Sequence, residues 1–170
     1  MARKIVLHTG FWHRNKINKL GGKNEKMVMA YLLCNPSFSR TGIYTIYSEA
    51  IASGIGRKVI NAEEVREALV KLEEAELIRY EHEADVVYIL EFGQYSSFNS
   101  GKPVIVAMEL LSDFEEIDRD NKMVVDFWCD YIKKNKEKLT LFNEKLLKSK
   151  SNPDKISIRP ILDFILLNKD

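Results

Sequence analysis

Positive charge interleaved with aromatic rings is the densest chemistry this sequence offers. Near the N-terminus Arg3, Lys4, Arg14, Lys16 and Lys19 flank His8, Phe11, Trp12 and His13. Such an arm suits a nucleic acid, because cations neutralise phosphates while rings stack on bases. Arg57 and Lys58 form a second basic pair, and Arg66 follows one helical stretch later. The same residues also admit a plainer reading, with Phe11 and Trp12 plugging a core and the lysines lying on a solvated surface.

Other constellations lack the spacing that their chemistry needs. Gly21-Gly22-Lys23 has neither the second glycine spacing nor the Ser or Thr of a phosphate-binding loop, and no buried strand precedes it. Gly54-Ile55-Gly56 lacks the third glycine of a dinucleotide fingerprint. His8, His13, His82, Cys34 and Cys129 show no metal-ligand pattern. Asp113, Glu115, Glu116, Asp118 and Asp120 read as a solvated helix junction rather than a cation site. With no nucleophile, base and orienting group in view, neither an enzyme nor a cofactor is expected.

The net charge of +1 conceals a segregation. Up to Ile60, ten Lys and Arg residues stand against Glu25 and Glu49, whereas from Asn61 to Glu91 three bases face ten carboxylates. Opposite signs separated along the chain create faces with different partners. A 45% apolar composition supports a packed core, and no apolar run is long enough for a membrane span. The basic start lacks the apolar core of a signal peptide. Cys34 and Cys129 are far apart and read as buried thiols, so a cytoplasmic location is expected.

These residues need elements to position them. The spacing of Met27, Ala30, Tyr31 and Cys34 predicts a helix over 24–34 with those residues facing the core, stopped by Asn35-Pro36. Residues 43–47 are rich in strand formers. Ser48 reads as the cap of a short helix closed by Gly54. Asn61 and Glu64 form a capping box for a helix over 62–76, with Val65, Ala68, Leu69 and Leu72 inward. Strands at 77–80 and 86–90 follow, with Tyr80 and Tyr88 expected opposite each other. Helix, strand, helix, turn, helix and hairpin is the order of a winged helix-turn-helix. Residues 1–95 are therefore read as that domain, 96–103 as a linker and 104–170 as a helical C-terminal segment, an α+β and mostly helical chain overall. In that last segment a helix starts at Pro103, another spans 123–134 under an Asp118 or Asp120 cap, and two more cover 140–150 and the stretch after Pro153.

Phe11-Trp12, Leu20, Glu25-Lys26, Tyr31-Leu32-Leu33-Cys34-Asn35-Pro36, Thr41-Gly42-Ile43-Tyr44, Ile51-Ala52, Glu63-Glu64-Val65 and Leu72-Glu73 through Leu77-Ile78 form a familiar series. It resembles the N-terminal winged-helix region of phage replication proteins related to the DnaD-type initiators. The resemblance covers residues 11–95 and fades beyond Pro103. It implies DNA binding near an origin, self-association and help in loading a helicase, and it brings no catalytic residues.

The helix that would enter the major groove is a poor match to phosphate. Its outer face shows Glu63, Glu67, Lys71 and Glu74, and carboxylates repel the DNA backbone. DNA contact, to duplex or single strands, is therefore expected from Arg57, Lys58 and Arg66, with the arm residues Arg3, Lys4, Arg14, Lys16 and Lys19. The alternative is a protein-interaction module whose Glu63, Glu67 and Glu74 meet a basic partner, such as a replisome or helicase-loading protein or a second copy. A transcriptional regulator is a third option on this scaffold. The apolar faces after residue 104 favour a homo-oligomer.

Overall fold

The computed structural model describes residues 15–90, 102–150, 152 and 155–168. The chain is α+β and mostly helical, and it divides into two compact units: residues 1–38 with 42–96, and residues 39–41 with 97–170. The basic arm up to Arg14 and most of the expected linker lie outside the described residues.

The first unit runs α1 (Asn15–Lys19), α2 (Lys23–Cys34), β1 (Ile43–Thr45), α3 (Ser48–Ile55), α4 (Ala62–Glu74), β2 (Ile78–Glu81) and β3 (Val86–Ile89). The strands form an antiparallel sheet in the order β1-β3-β2. Its core joins Val28, Met29, Leu32 and Leu33 of α2 to Ile51 of α3, Val65, Leu69 and Leu72 of α4, and Ile78, Val87 and Ile89 of the sheet. The expected α2 face is therefore rotated: Met27, Ala30 and Tyr31 are only partly buried and Cys34 is exposed. Because α2 is apolar almost all round, either stripe satisfies the helical period. The polar Glu25 selects between them, since it is buried on the same face as Met29 and Leu32 and reaches Lys71 of α4 at 2.9 Å.

Several boundaries also moved. Tyr47, not Ser48, precedes α3, which continues through Gly54 and ends on Gly56 at φ +124°. Gly54 lies inside the helix because the Tyr31 ring occupies the space a side chain would need, with a Cβ placed 2.1 Å from the Tyr31 hydroxyl. This reverses a familiar sign. Gly→Ala within a helix ordinarily stabilises by about 1 kcal/mol, but Gly54→Ala must displace Tyr31 and is expected to lower the thermal midpoint instead. A midpoint raised above that of the parent would show that the ring swings aside freely. The hairpin register sets Tyr80 opposite Val87 and Arg79 opposite Tyr88, so the two tyrosines are not partners. Tyr80 is buried and its hydroxyl donates towards the Ile46 carbonyl and the Asp85 carboxylate.

The second unit contains α5 (Pro103–Glu115), α6 (Lys122–Lys148) and α7 (Arg159–Leu167). Pro103 occupies the first turn of α5, where its missing N–H costs nothing. Asn121, rather than Asp118 or Asp120, caps α6 by accepting from Met123 and Val124 N–H. Asp118 accepts instead from the Asp120 and Asn121 N–H groups, holding the turn before it. The two helices expected over 123–134 and 140–150 are one helix of 27 residues. Lys134 to Lys138 between them are all helix-compatible, with neither Gly nor Pro to interrupt the ladder. Phe114, Trp128, Tyr131 and Phe164 form a chain of tilted ring contacts joining α5, α6 and α7, with centroids 5.1–5.8 Å apart. Cys129 of α6 is buried as well.

Candidate nucleic-acid interface

The turn between α3 and α4 is built to hold two cations outward. The α3 ladder closes with Gly56 N–H donating to the Ala52 carbonyl at 2.9 Å. The Gly56 carbonyl then accepts from Val59 at 2.8 Å and Ile60 at 3.2 Å, drawing the chain into a tight coil. Ile60 is buried and pins the far end to the core, while Arg57, Lys58 and Val59 are exposed. Asn61 then starts α4 with both bonds of a capping box: Glu64 N–H donates to its side chain at 2.9 Å and the Asn61 N–H to the Glu64 carboxylate at 2.8 Å. Backbone bonds and one apolar anchor thus fix the turn, and among the described residues neither Arg57 nor Lys58 takes part in holding it.

The remaining basic candidates are differently placed. Arg66 lies on α4 between two carboxylates, 2.6 Å from Glu49 and 3.0 Å from Glu63. A guanidinium shared this way offers phosphate little uncompensated charge. Lys16 bonds both the carboxylate and the carbonyl of Glu76 at 3.2 Å, tying α1 to the end of α4. Lys19 is exposed at the end of α1. Arg3, Lys4 and Arg14 lie outside the described residues.

Glu63, Glu67 and Glu74 are exposed along the outer face of α4, together with Val70, which the sequence reading passed over. Its exposure could not be foreseen from type alone, since valine is usually a core residue. The hairpin tip is also acidic. Glu81 accepts from Glu83 and Ala84 N–H, and Asp85 turns at φ +52°. Among the described residues no group of three or more His, Cys, Asp and Glu side chains is placed to hold a metal ion. No helix among them is long and apolar enough to cross a membrane.

Gly21-Gly22-Lys23 opens α2 and lines, with Lys26, Met27 and Ala30, an open cleft of about 470 Å³. A phosphate there would meet Glu25, whose carboxylate already sits at the helix start, bonded to its own N–H and to Lys71. A Cβ on Gly22 would lie 1.7 Å from that carboxylate, so Gly22 leaves room for the glutamate rather than for a ligand. The bond from Lys71 and that from its own N–H hold the Glu25 carboxyl below its usual 4.5, against the opposing effect of burial. A depressed native value stabilises the fold above the unfolded value and loses that contribution as pH falls through the folded one. The first unit should accordingly lose stability on acidification below about pH 4.5, and Glu25→Gln should flatten that acid limb in thermal melts. An identical acid limb in the variant would remove Glu25 from the account.

No protein-family model matches the chain, and no curated protein or solved structure compared with it does so either.

Proposed function

We propose that the first unit is a winged helix-turn-helix and that the chain is a non-catalytic DNA-binding protein of phage-type replication. In this reading α3 and α4 are the helix-turn-helix, and the β2–β3 hairpin is the wing. The order of elements and the β1-β3-β2 sheet support it. The replication setting rests on the resemblance of residues 11–95 to DnaD-type initiators, and with it the proposed role in organising a replisome.

One observation carries DNA contact: Arg57 and Lys58 stand exposed on a turn held entirely by other groups. They would grip phosphates flanking the groove, while the acidic face of α4 keeps that helix from reading bases closely. Such binding is governed by shape and charge more than by sequence. Fluorescence anisotropy of labelled duplex and single-stranded DNA across a salt series tests it. The expected result is affinity that falls with salt, the logarithmic slope being about −0.9 per phosphate neutralised. Absence of binding at low salt would discard the DNA reading.

A second reading, a protein-interaction module, is favoured by a different observation. Glu63, Glu67 and Glu74 flank an exposed Val70 on α4. Carboxylates around an apolar centre suit a basic, partly apolar protein face better than a phosphate backbone. The two readings use different surfaces and are compatible.

A further inference from the structure

Two helices of this chain carry one spacing with opposite charge. On α4, Glu63, Glu67, Val70 and Glu74 follow at intervals of four, three and four. On α6, Lys134, Lys138, Leu141 and Lys145 repeat those intervals, and Lys148 extends the row. At 3.6 residues per turn each quartet falls within a stripe about 60° wide and about 16 Å long. All eight residues are exposed, Val70 at 44% and Leu141 at 57%.

We propose that α4 of one molecule docks in parallel on α6 of a second copy of this chain. Glu63 then meets Lys134, Glu67 meets Lys138, Val70 meets Leu141 and Glu74 meets Lys145. The parallel direction follows from the position of the apolar residue. Run antiparallel, the same spacing would set Val70 against Lys138 and Leu141 against Glu67. A second copy is the occupant because both halves of the complement are written on one sequence. Leu141 argues against nucleic acid as the partner of the lysine row, since a phosphate backbone gains nothing from an apolar residue at its centre. The inference rests on the protein-interaction reading of α4 and does not require DNA binding.

Local pairs do not block the contact. Glu63 shares Arg66 with Glu49 near the surface, and Lys134 bonds the part-buried Asp130 one turn away at 2.8 Å. The exposed Arg66 pairs exchange partners at little cost, and Lys134, itself half exposed, leads a row whose other two lysines carry the contact with it. The contact joins two different faces, so copies associate head to tail, closing into a ring or continuing as a chain.

Sedimentation velocity of the full chain without DNA, over a wide concentration range, tests the proposal. The parent should self-associate, and more weakly at about 1 M salt, where screening shortens to about 3 Å. The triple variants E63K/E67K/E74K and K134E/K138E/K145E should each weaken association at least about tenfold, as like charges face each other. Mixing the two, or combining all six changes in one chain, should restore it. R57E/K58E should associate like the parent even if it no longer binds DNA, which separates this contact from the DNA reading. A parent that stays monomeric at every concentration would overturn the proposal without any variant. So would a mixture that fails to restore association. Loss of DNA affinity on K134E/K138E/K145E, with the mass unchanged, would reassign the lysine row to nucleic acid.

Discussion

Reversing both cations of the α3–α4 turn, as R57E/K58E, should reduce DNA affinity at least about a hundredfold at about 50 mM salt. Two attractions to phosphate become two repulsions, at a surface where backbone charge dominates binding. The salt dependence should change as well. Each lost phosphate contact removes about 0.9 from the logarithmic slope, so the neutral pair R57A/K58A should flatten it by about 2. The fold should be indifferent. The turn is held by Gly56, Val59 and Ile60 backbone bonds and by the buried Ile60 side chain, none of which involves either cation. Surface changes clear of such features usually move stability by less than about 0.5 kcal/mol. A folded R57E/K58E protein with parental affinity would move the DNA contact off this turn. The N-terminal arm, with Arg3, Lys4 and Arg14, would then be the next surface to reverse.

The features read correctly from sequence are those decided by a few residues close together. Asn61 and Glu64 announce a helix start through reciprocal bonds, and both bonds form. Val65, Ala68, Leu69 and Leu72 stand out against a polar helix, so only one face of α4 can turn inward. Pro103 similarly marks the start of α5. Where the local signal is degenerate, tertiary contacts decide. Nearly every residue of α2 after Lys26 is apolar, and its rotation follows from the Glu25–Lys71 pair, two groups far apart in sequence. Gly54 has the look of a helix terminator, yet its role is to admit the ring of Tyr31 from another helix. Ser48 resembles a cap but is buried within reach of Tyr80. The hairpin register depends on the tight turn at Asp85, which composition does not specify.

The candidate interface was readable to a similar depth. Residue type identified Arg57 and Lys58 as a basic pair, and their exposure adds that nothing in the described fold uses them. Type alone could not distinguish them from Arg66, which lies close in sequence but is held by Glu49 and Glu63. Glu49 comes from α3 and meets Arg66 only because α3 and α4 pack together. The acidic face of α4 was evident from periodicity, but its exposed Val70 was not. The helical period sets Val70 off the stripe shared by Val65, Leu69 and Leu72, and its type alone pointed inward. The lysine row of α6 was hidden for a different reason. Reading 123–134 and 140–150 as separate helices cuts Lys134 and Lys138 from Lys145, and the common stripe appears only when the helix is continuous.

Trp128→Ala should be the most damaging single substitution in the second unit, costing about 3–5 kcal/mol. Trp128 is 1% exposed and lies at the middle of the aromatic chain, its ring 5.3 Å from that of Phe114 and 5.8 Å from that of Tyr131. Truncation leaves a void bounded by rigid rings on α5 and α6, which close less readily than flexible aliphatic chains. The loss can be read locally through Cys129, the following residue of α6, which is buried. Thiol labelling in a Cys34→Ser background, which removes the exposed cysteine, reports how often the second unit opens. At 1.36 kcal/mol per tenfold change, labelling should accelerate about 10²- to 10⁴-fold. Leu166→Ala provides the contrast, because Leu166 is 64% exposed on α7 and its loss should leave the labelling rate almost unchanged. A Cys129 rate that barely rises in Trp128→Ala would mean that α6 is held elsewhere along its length, through Leu139, Phe142 and Leu146. The ring chain would then be packing that fills space rather than the contact on which the second unit depends.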